Sequence, residues 1–165
     1  MARITLPTRE DLPEEYRYLL GEDALGDLDL LRAMGTNPRI LQTYMRHGTA
    51  LWREAGLSVR QVELAILTIA RTLESTYEWF QHVDIARDVD LTDEEIRAVG
   101  GRDDGPFDDN ERTLLRYARV AANDDVSTDV HGSLVAAFNE VTVAGTAALV
   151  AHYVATGRFV SVLAV

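Results

Sequence analysis

The residue types and spacings that suggest chemistry are concentrated between Glu63 and His82, in the stretch ELAILTIARTLESTYEWFQH. Glu63 opens an apolar helical run through Leu64, Ala65, Ile66, Leu67, Ile69 and Ala70. After a polar break the chain resumes as Ser75-Thr76-Tyr77-Glu78-Trp79-Phe80-Gln81-His82. Residues four apart in a helix stack on one face, so Glu74, Glu78 and His82 form a candidate ladder of two carboxylates and an imidazole. An imidazole beside carboxylates is suited to moving protons, and the phenol of Tyr77 is a candidate donor to a developing oxyanion. Each residue also has a plain reading. A histidine on an apolar helix is commonly just a satisfied side chain, Glu78 can be half of a capping box, and Glu63 can sit in a first turn for the sake of the helix dipole. No metal is expected, because the sequence adds neither a third ligand nor an H-E-x-x-H set to Glu78 and His82.

The pattern Glu63, Ser75, Glu78 and His82, with Tyr77-Glu78-Trp79 ahead of the histidine and Val83 to Ala86 behind it, resembles the carboxymuconolactone decarboxylase family. That family shares the alkylhydroperoxidase D-like fold, whose redox members carry Glu, Cys-x-x-Cys and His at this spacing. Ser75 and Glu78 stand where those cysteines would be. The resemblance extends more loosely from Asn37-Pro38 through Gly56-Leu57 to the Tyr153 region. It implies an all-α helical bundle that assembles as a trimer, hexamer or larger ring. It also implies a cofactor-free acid/base enzyme that decarboxylates or isomerises a small lactone or enone carboxylate. In that reading His82 is the proton donor, Glu63 orients it, and Glu78 and Tyr77 place the substrate or stabilise charge. Ser75 and Trp79 complete the substrate-binding set. The alternative is an oligomeric small-molecule-binding protein that keeps the fold without the chemistry.

Composition limits the remaining choices. With 165 residues, 47% hydrophobic and 26% charged, the chain can bury one core, so a single domain over residues 1–165 is expected, with an irregular acidic segment, 1–35, packed on it. Zero cysteines exclude disulfides, thiolate metal sites, cysteine nucleophiles and a thiol peroxidase cycle. A net charge of -11 opposes binding to nucleic acid or to an anionic membrane. Residues Met1 to Pro7 contain no apolar h-region, so a cytoplasmic protein is expected. Val141 to Val165 reaches membrane-spanning length, but its glycines, threonines and central His152-Tyr153 favour a buried helix at a subunit interface.

The elements that must position these residues read as helices, since no run sustains strand alternation. Short helices are expected near residues 9–20 and 24–34, then one from Asn37-Pro38 to about Gly56. Three capping boxes, Ser58 with Gln61, Ser75 with Glu78 and Thr92 with Glu95, start the next three helices, the last ending at Gly100-Gly101. The cluster Thr72, Ser75 and Thr76 favours a break over one unbroken helix from Val59 to Val89. A cap at Ser75 places Glu78 in a first turn, where the dipole would lower its pKa. Loop 100–109 precedes a helix over Glu111 to Ala122, another capped by Ser127 or Thr128 and running through Val130, Leu134, Val135 and Phe138, and the apolar last helix from about Thr142.

Overall fold

The computed structural model describes residues 2–21 and 28–165, and no strand occurs among them. Two 3₁₀ helices, Arg9–Asp11 and Glu14–Leu20, come first. The α-helices are α1 (Asp29–Gly35), α2 (Pro38–Glu54), α3 (Val59–Thr72), α4 (Thr76–Asp88), α5 (Asp93–Gly101), α6 (Asp109–Ala122), α7 (Thr128–Ala137) and α8 (Glu140–Leu163). The all-α class is as expected. The expected helix near 24–34 begins at Asp29, and residues 22–27 lie outside the described residues. The stretch 9–20 forms 3₁₀ turns rather than α-helix, because Pro13 interrupts it four residues after Arg9 and cannot donate within a continuous helix.

Contacts divide the chain into two units, Met1–Ala50 with Arg158–Val165, and Leu51–Gly157. In the first, irregular backbone leaves carbonyls that no helix satisfies, and arginines satisfy them. Arg32 donates to the carbonyls of Pro7 (3.1 Å) and Leu6 (3.0 Å), and Arg17 to that of Leu12 (3.1 Å). The N–H of Arg3 donates to the Leu163 carbonyl at 2.8 Å. Leu12, Leu19, Leu20, Leu31 and Met34 are buried in this unit.

In the second unit α3 is buried on every face from Val62 to Ala70. One side of it, Val62, Ala65, Ile66 and Ile69, joins Leu114 and Ala118 of α6, Leu134 of α7, and Leu149, Val150 and Tyr153 of α8. The other side, Leu64 and Leu67, joins Ala86 of α4, Ile96 and Val99 of α5, and Leu115 of α6. A helix apolar all round belongs at the centre of such an arrangement. By length and composition α8 could cross a membrane, yet here it contributes to the α3 core. Its buried Thr146 and Thr156 satisfy their hydroxyls on the carbonyls of Thr142 (2.7 Å) and His152 (2.9 Å), one turn back.

Reciprocal caps fix the helix starts. Ser58 Oγ accepts from the Gln61 N–H while Gln61 accepts from the Ser58 N–H, and Thr92 with Glu95 repeats the arrangement, both as expected. A further box, Asp108 with Glu111, starts α6. Arg60 of α3 then joins both acidic arms. Its Nε donates to Glu111 at 2.8 Å, Nη2 donates to Glu95, and Nη1 donates to the Asp90 carbonyl at 3.3 Å. The Arg60 guanidinium, with the Thr92 cap, holds the Glu95 carboxyl down at about 2, against an ordinary 4.5.

A depressed folded-state value means that the stabilisation is complete above the unfolded value and is lost as pH falls through the folded one. Thermal stability should therefore decline from about pH 5 toward pH 2. In Glu95→Gln, about 1–3 kcal/mol is lost at pH 7 and the acid slope flattens. Melting curves across that pH range check this, and an unchanged acid slope in Glu95→Gln contradicts it.

Candidate active site

Glu63 lies one turn past the Ser58 cap, inside the part of α3 that is buried all round, and is itself 0% exposed. A carboxylate in such surroundings is costly unless it is hydrogen-bonded. Its partner is His82 of α4, whose Nδ1 lies 3.0 and 3.1 Å from the two Glu63 oxygens. In the tautomer with its hydrogen on Nδ1, the ring donates to Glu63 and Nε2 is the nitrogen turned away from that contact. On that side stands Glu78, whose Oε2 is 3.8 Å from Nε2, beyond direct hydrogen-bond reach. Glu78 is 4% exposed, and its Oε1 is buried without a hydrogen-bond partner among the described residues.

The turn between α3 and α4 creates this arrangement. Leu73 closes α3, Glu74 takes a left-handed φ of 54°, and Ser75 caps α4, its Oγ lying 3.5 Å from the Glu78 N–H. The expected break is therefore present. Two expectations attached to it are corrected. The Ser75 N–H donates to the Ala70 carbonyl at 2.9 Å, so it is not left for the Glu78 side chain, the reciprocal arm of the box does not form, and Glu78 turns inward. Glu74 stays exposed in the turn, so the ladder has two rungs, Glu78 and His82.

The sign of the Glu78 shift is also opposite to the one expected from the helix dipole. Burial raises its pKa, and the charge of His82 offsets only part of that rise. Desolvation wins because the side chain points into the protein rather than out over the first turn.

Two rings that the sequence reading did not assign to the site hold the imidazole. Trp52 of α2 stacks on it at 6.3 Å between centroids, with planes 26° apart. Tyr153 of α8 meets it edge-on at 5.3 Å. Trp52 Nε1–H donates to the Tyr153 hydroxyl at 3.0 Å, joining the two. His152 packs edge-on against Tyr153 at 5.2 Å. Local spacing could not reveal a pair 101 residues apart; the sequence offers only one aromatic residue on the amphipathic α2 and another in the apolar α8.

Among the other candidates, Ser75 acts as the cap, and Gly157 of α8 approaches it, since a Cβ there would lie 3.8 Å from Ser75 Oγ. Tyr77 is half-buried on α4. Trp79 packs against the Leu64 and Leu67 side of the core and close to Gly100. Arg71 Nε is engaged by the Gly100 carbonyl at 2.7 Å, and Arg87 by Asp84 and Asp93. Among the described residues, no group of three His, Cys, Asp or Glu side chains is arranged for metal ligation. Glu63 and Glu78 approach opposite nitrogens of one imidazole, so they do not converge on a common point.

A profile of the carboxymuconolactone decarboxylase family matches residues 38–120, just over half of the chain and the part that contains all of Glu63, Ser75, Glu78 and His82. The chain belongs to the carboxymuconolactone decarboxylase family. Comparison with curated proteins found no match. Solved structures share the fold of this family member at low identity. An uncharacterised peroxidase-related protein from Ralstonia eutropha, described as an alkylhydroperoxidase AhpD core, has a TM-score of 0.85 at 16% identity, over 99% of this chain and 90% of its own. A peroxidase-related protein from Silicibacter sp. gives 0.84 at 18% identity, with 99% and 90% covered. A cysteine-to-alanine variant of the debrominase Bmp8, solved in complex with 2,3,4-tribromopyrrole, gives 0.83 at 15% identity, with 99% and 92% covered. The alkylhydroperoxidase D-like fold expected for the family is the one observed, in a chain that has no cysteine.

Proposed function

We propose that this family member is a cofactor-independent acid/base enzyme acting on a small lactone or enone carboxylate, by decarboxylation or isomerisation. The observation that carries the reading is the buried imidazole of His82, held through Nδ1 by Glu63, with Nε2 turned toward the second buried carboxyl, Glu78. Loss of carbon dioxide from a carboxylate conjugated to a lactone or enone leaves an electron pair delocalised as a dienolate. Protonated His82 then delivers its Nε2 proton to carbon, the electron pair forms the new C–H bond, and the imidazole regains a proton from water. In an isomerisation, neutral Nε2 takes a proton from one carbon of the conjugated system and returns it at another. Glu63 orients the ring and balances the imidazolium charge. Tyr77 and Glu78 place the substrate oxygen, with Ser75 and Trp79 as further contacts.

The charge balance supports a monoanion rather than a dianion as substrate. The chain has no lysine, and Arg71 and Arg87 are engaged elsewhere. That the debrominase neighbour holds a small planar ring supports a small cyclic substrate.

The test is a screen of lactones and enones read by fluorescence of Trp52, which stacks on His82, followed by turnover of the hits. His82→Gln should lower turnover by about 10²–10⁴-fold while keeping the fold. Full turnover in that variant would leave a binding protein in place of an enzyme.

A further inference from the structure

A buried carboxyl oxygen without a partner is expensive, and a protein that keeps one has a use for it. Glu78 Oε1 is such an atom, on the side chain that stands 3.8 Å from Nε2 of His82. We propose that Glu78 is the oxygen-binding group of the site, donating a hydrogen bond from its carboxyl to the enolate-type oxygen of a conjugated carbonyl ligand while His82 Nε2 faces the carbon that changes its proton. This rests on the acid/base reading above and narrows it, because the ligand must present an oxygen acceptor to Glu78 and a conjugated carbon to His82.

The surroundings favour a carboxyl that keeps its hydrogen. Facing the imidazole are Glu78 on α4, Glu63 from α3, Trp52 from α2 and Tyr153 from α8, while Arg71 and Arg87 are engaged by Gly100 and by Asp84 and Asp93. One imidazolium can balance one carboxylate, and Glu63 has the close contact at 3.0 Å while Glu78 stands at 3.8 Å. Burial acts in the same direction by penalising the charged form of Glu78. Two carboxyl groups in unlike environments thereby divide the work, one as counter-charge and one as neutral donor.

Two measurements on the intact chain test this. Infrared difference spectra of wild type against Glu78→Gln at pH 7 should show a protonated carboxyl band that the variant lacks. The second measurement uses 4-nitrophenol, whose conjugated oxygen mimics an enolate, and follows binding by its visible absorbance. Glu78→Gln, which keeps a donor, should bind within about threefold of wild type, and Glu78→Ala about tenfold or more weakly. The proposal is overturned if the carboxyl band is absent, if wild type does not bind the phenol, or if the Gln variant loses as much affinity as the Ala variant. Neither measurement needs turnover. A catalytically silent His82 would therefore remove the enzyme reading and the proton step at carbon while the Glu78 hydrogen bond to the ligand oxygen still shows in binding, and an ionised Glu78 would remove that hydrogen bond and leave the enzyme reading.

Discussion

Gly145→Ala should destabilise the fold by about 3 kcal/mol or more. In an ordinary helix interior this change stabilises by about 0.5–1 kcal/mol, because alanine restricts the unfolded chain. Here the sign reverses. A Cβ at Gly145 of α8 would overlap the carbonyl oxygen of Ala55 and lie 2.5 Å from its Cα, and both are backbone atoms. A flexible side chain could move aside, but the turn after α2 is pinned by Gly56 at a φ of +77° and by the Thr142 hydroxyl donating to the Gly56 carbonyl at 3.2 Å. Relief would need α8 to shift as a whole against a packed core, at about 3 kcal/mol or more. Against a typical total of about 5–15 kcal/mol, that is a large share of the margin. Circular dichroism melts check it: the expected result is a melting point lower by about 10 °C or more, or no cooperative transition. A melt within about 3 °C of wild type would contradict the close crossing.

The second large effect is expected at Glu63. Replacing it by alanine leaves the Nδ1–H of a buried imidazole without its acceptor and opens a void inside the most tightly enclosed helix. Breaking a buried pair from one side costs about 3–5 kcal/mol. Glu63→Gln should cost less, since the amide oxygen still accepts from Nδ1–H, yet it removes the counter-charge and should slow any proton transfer through Nε2. Chemical denaturation of Glu63→Ala, Glu63→Gln, His82→Gln and the double variant Glu63→Ala with His82→Gln measures this coupling. The double variant should lose clearly less than the sum of its parts, because the two side chains share one interaction. Strict additivity would mean that the pair is not coupled.

Much of this architecture was legible in the residues, and the physical reason differs by element. The starts of α3 and α5 were readable because Ser58 with Gln61, and Thr92 with Glu95, satisfy orphan amides by purely local bonds. The break before α4 was readable from Thr72, Ser75 and Thr76, which cluster where one long helix would carry stronger formers. The direction of Glu78 was not, since it depended on whether the Ser75 N–H was free, and a contact with Ala70 across the turn decided that. Glu78 and His82 share a helix face by periodicity. Glu63 joins them 19 positions away, a proximity that only the family resemblance implied. The Asp108 box was hidden inside a segment that composition marks as loop, although the Asp-x-x-Glu pattern was there to be read. Trp52 and Tyr153 come from different helices, and no local pattern brings them onto one imidazole.

Isotope exchange in heavy water shows whether His82 moves protons to and from carbon. A panel of lactones and enones, with and without a conjugated carboxylate, is incubated with wild type and with a folded His82→Gln variant, and deuterium at carbon is followed by NMR. With the wild-type chain, deuterium should enter at the carbon conjugated to the carbonyl, and with the variant the rate should be lower by at least about 10²-fold. Equal incorporation by both proteins would contradict that role for His82.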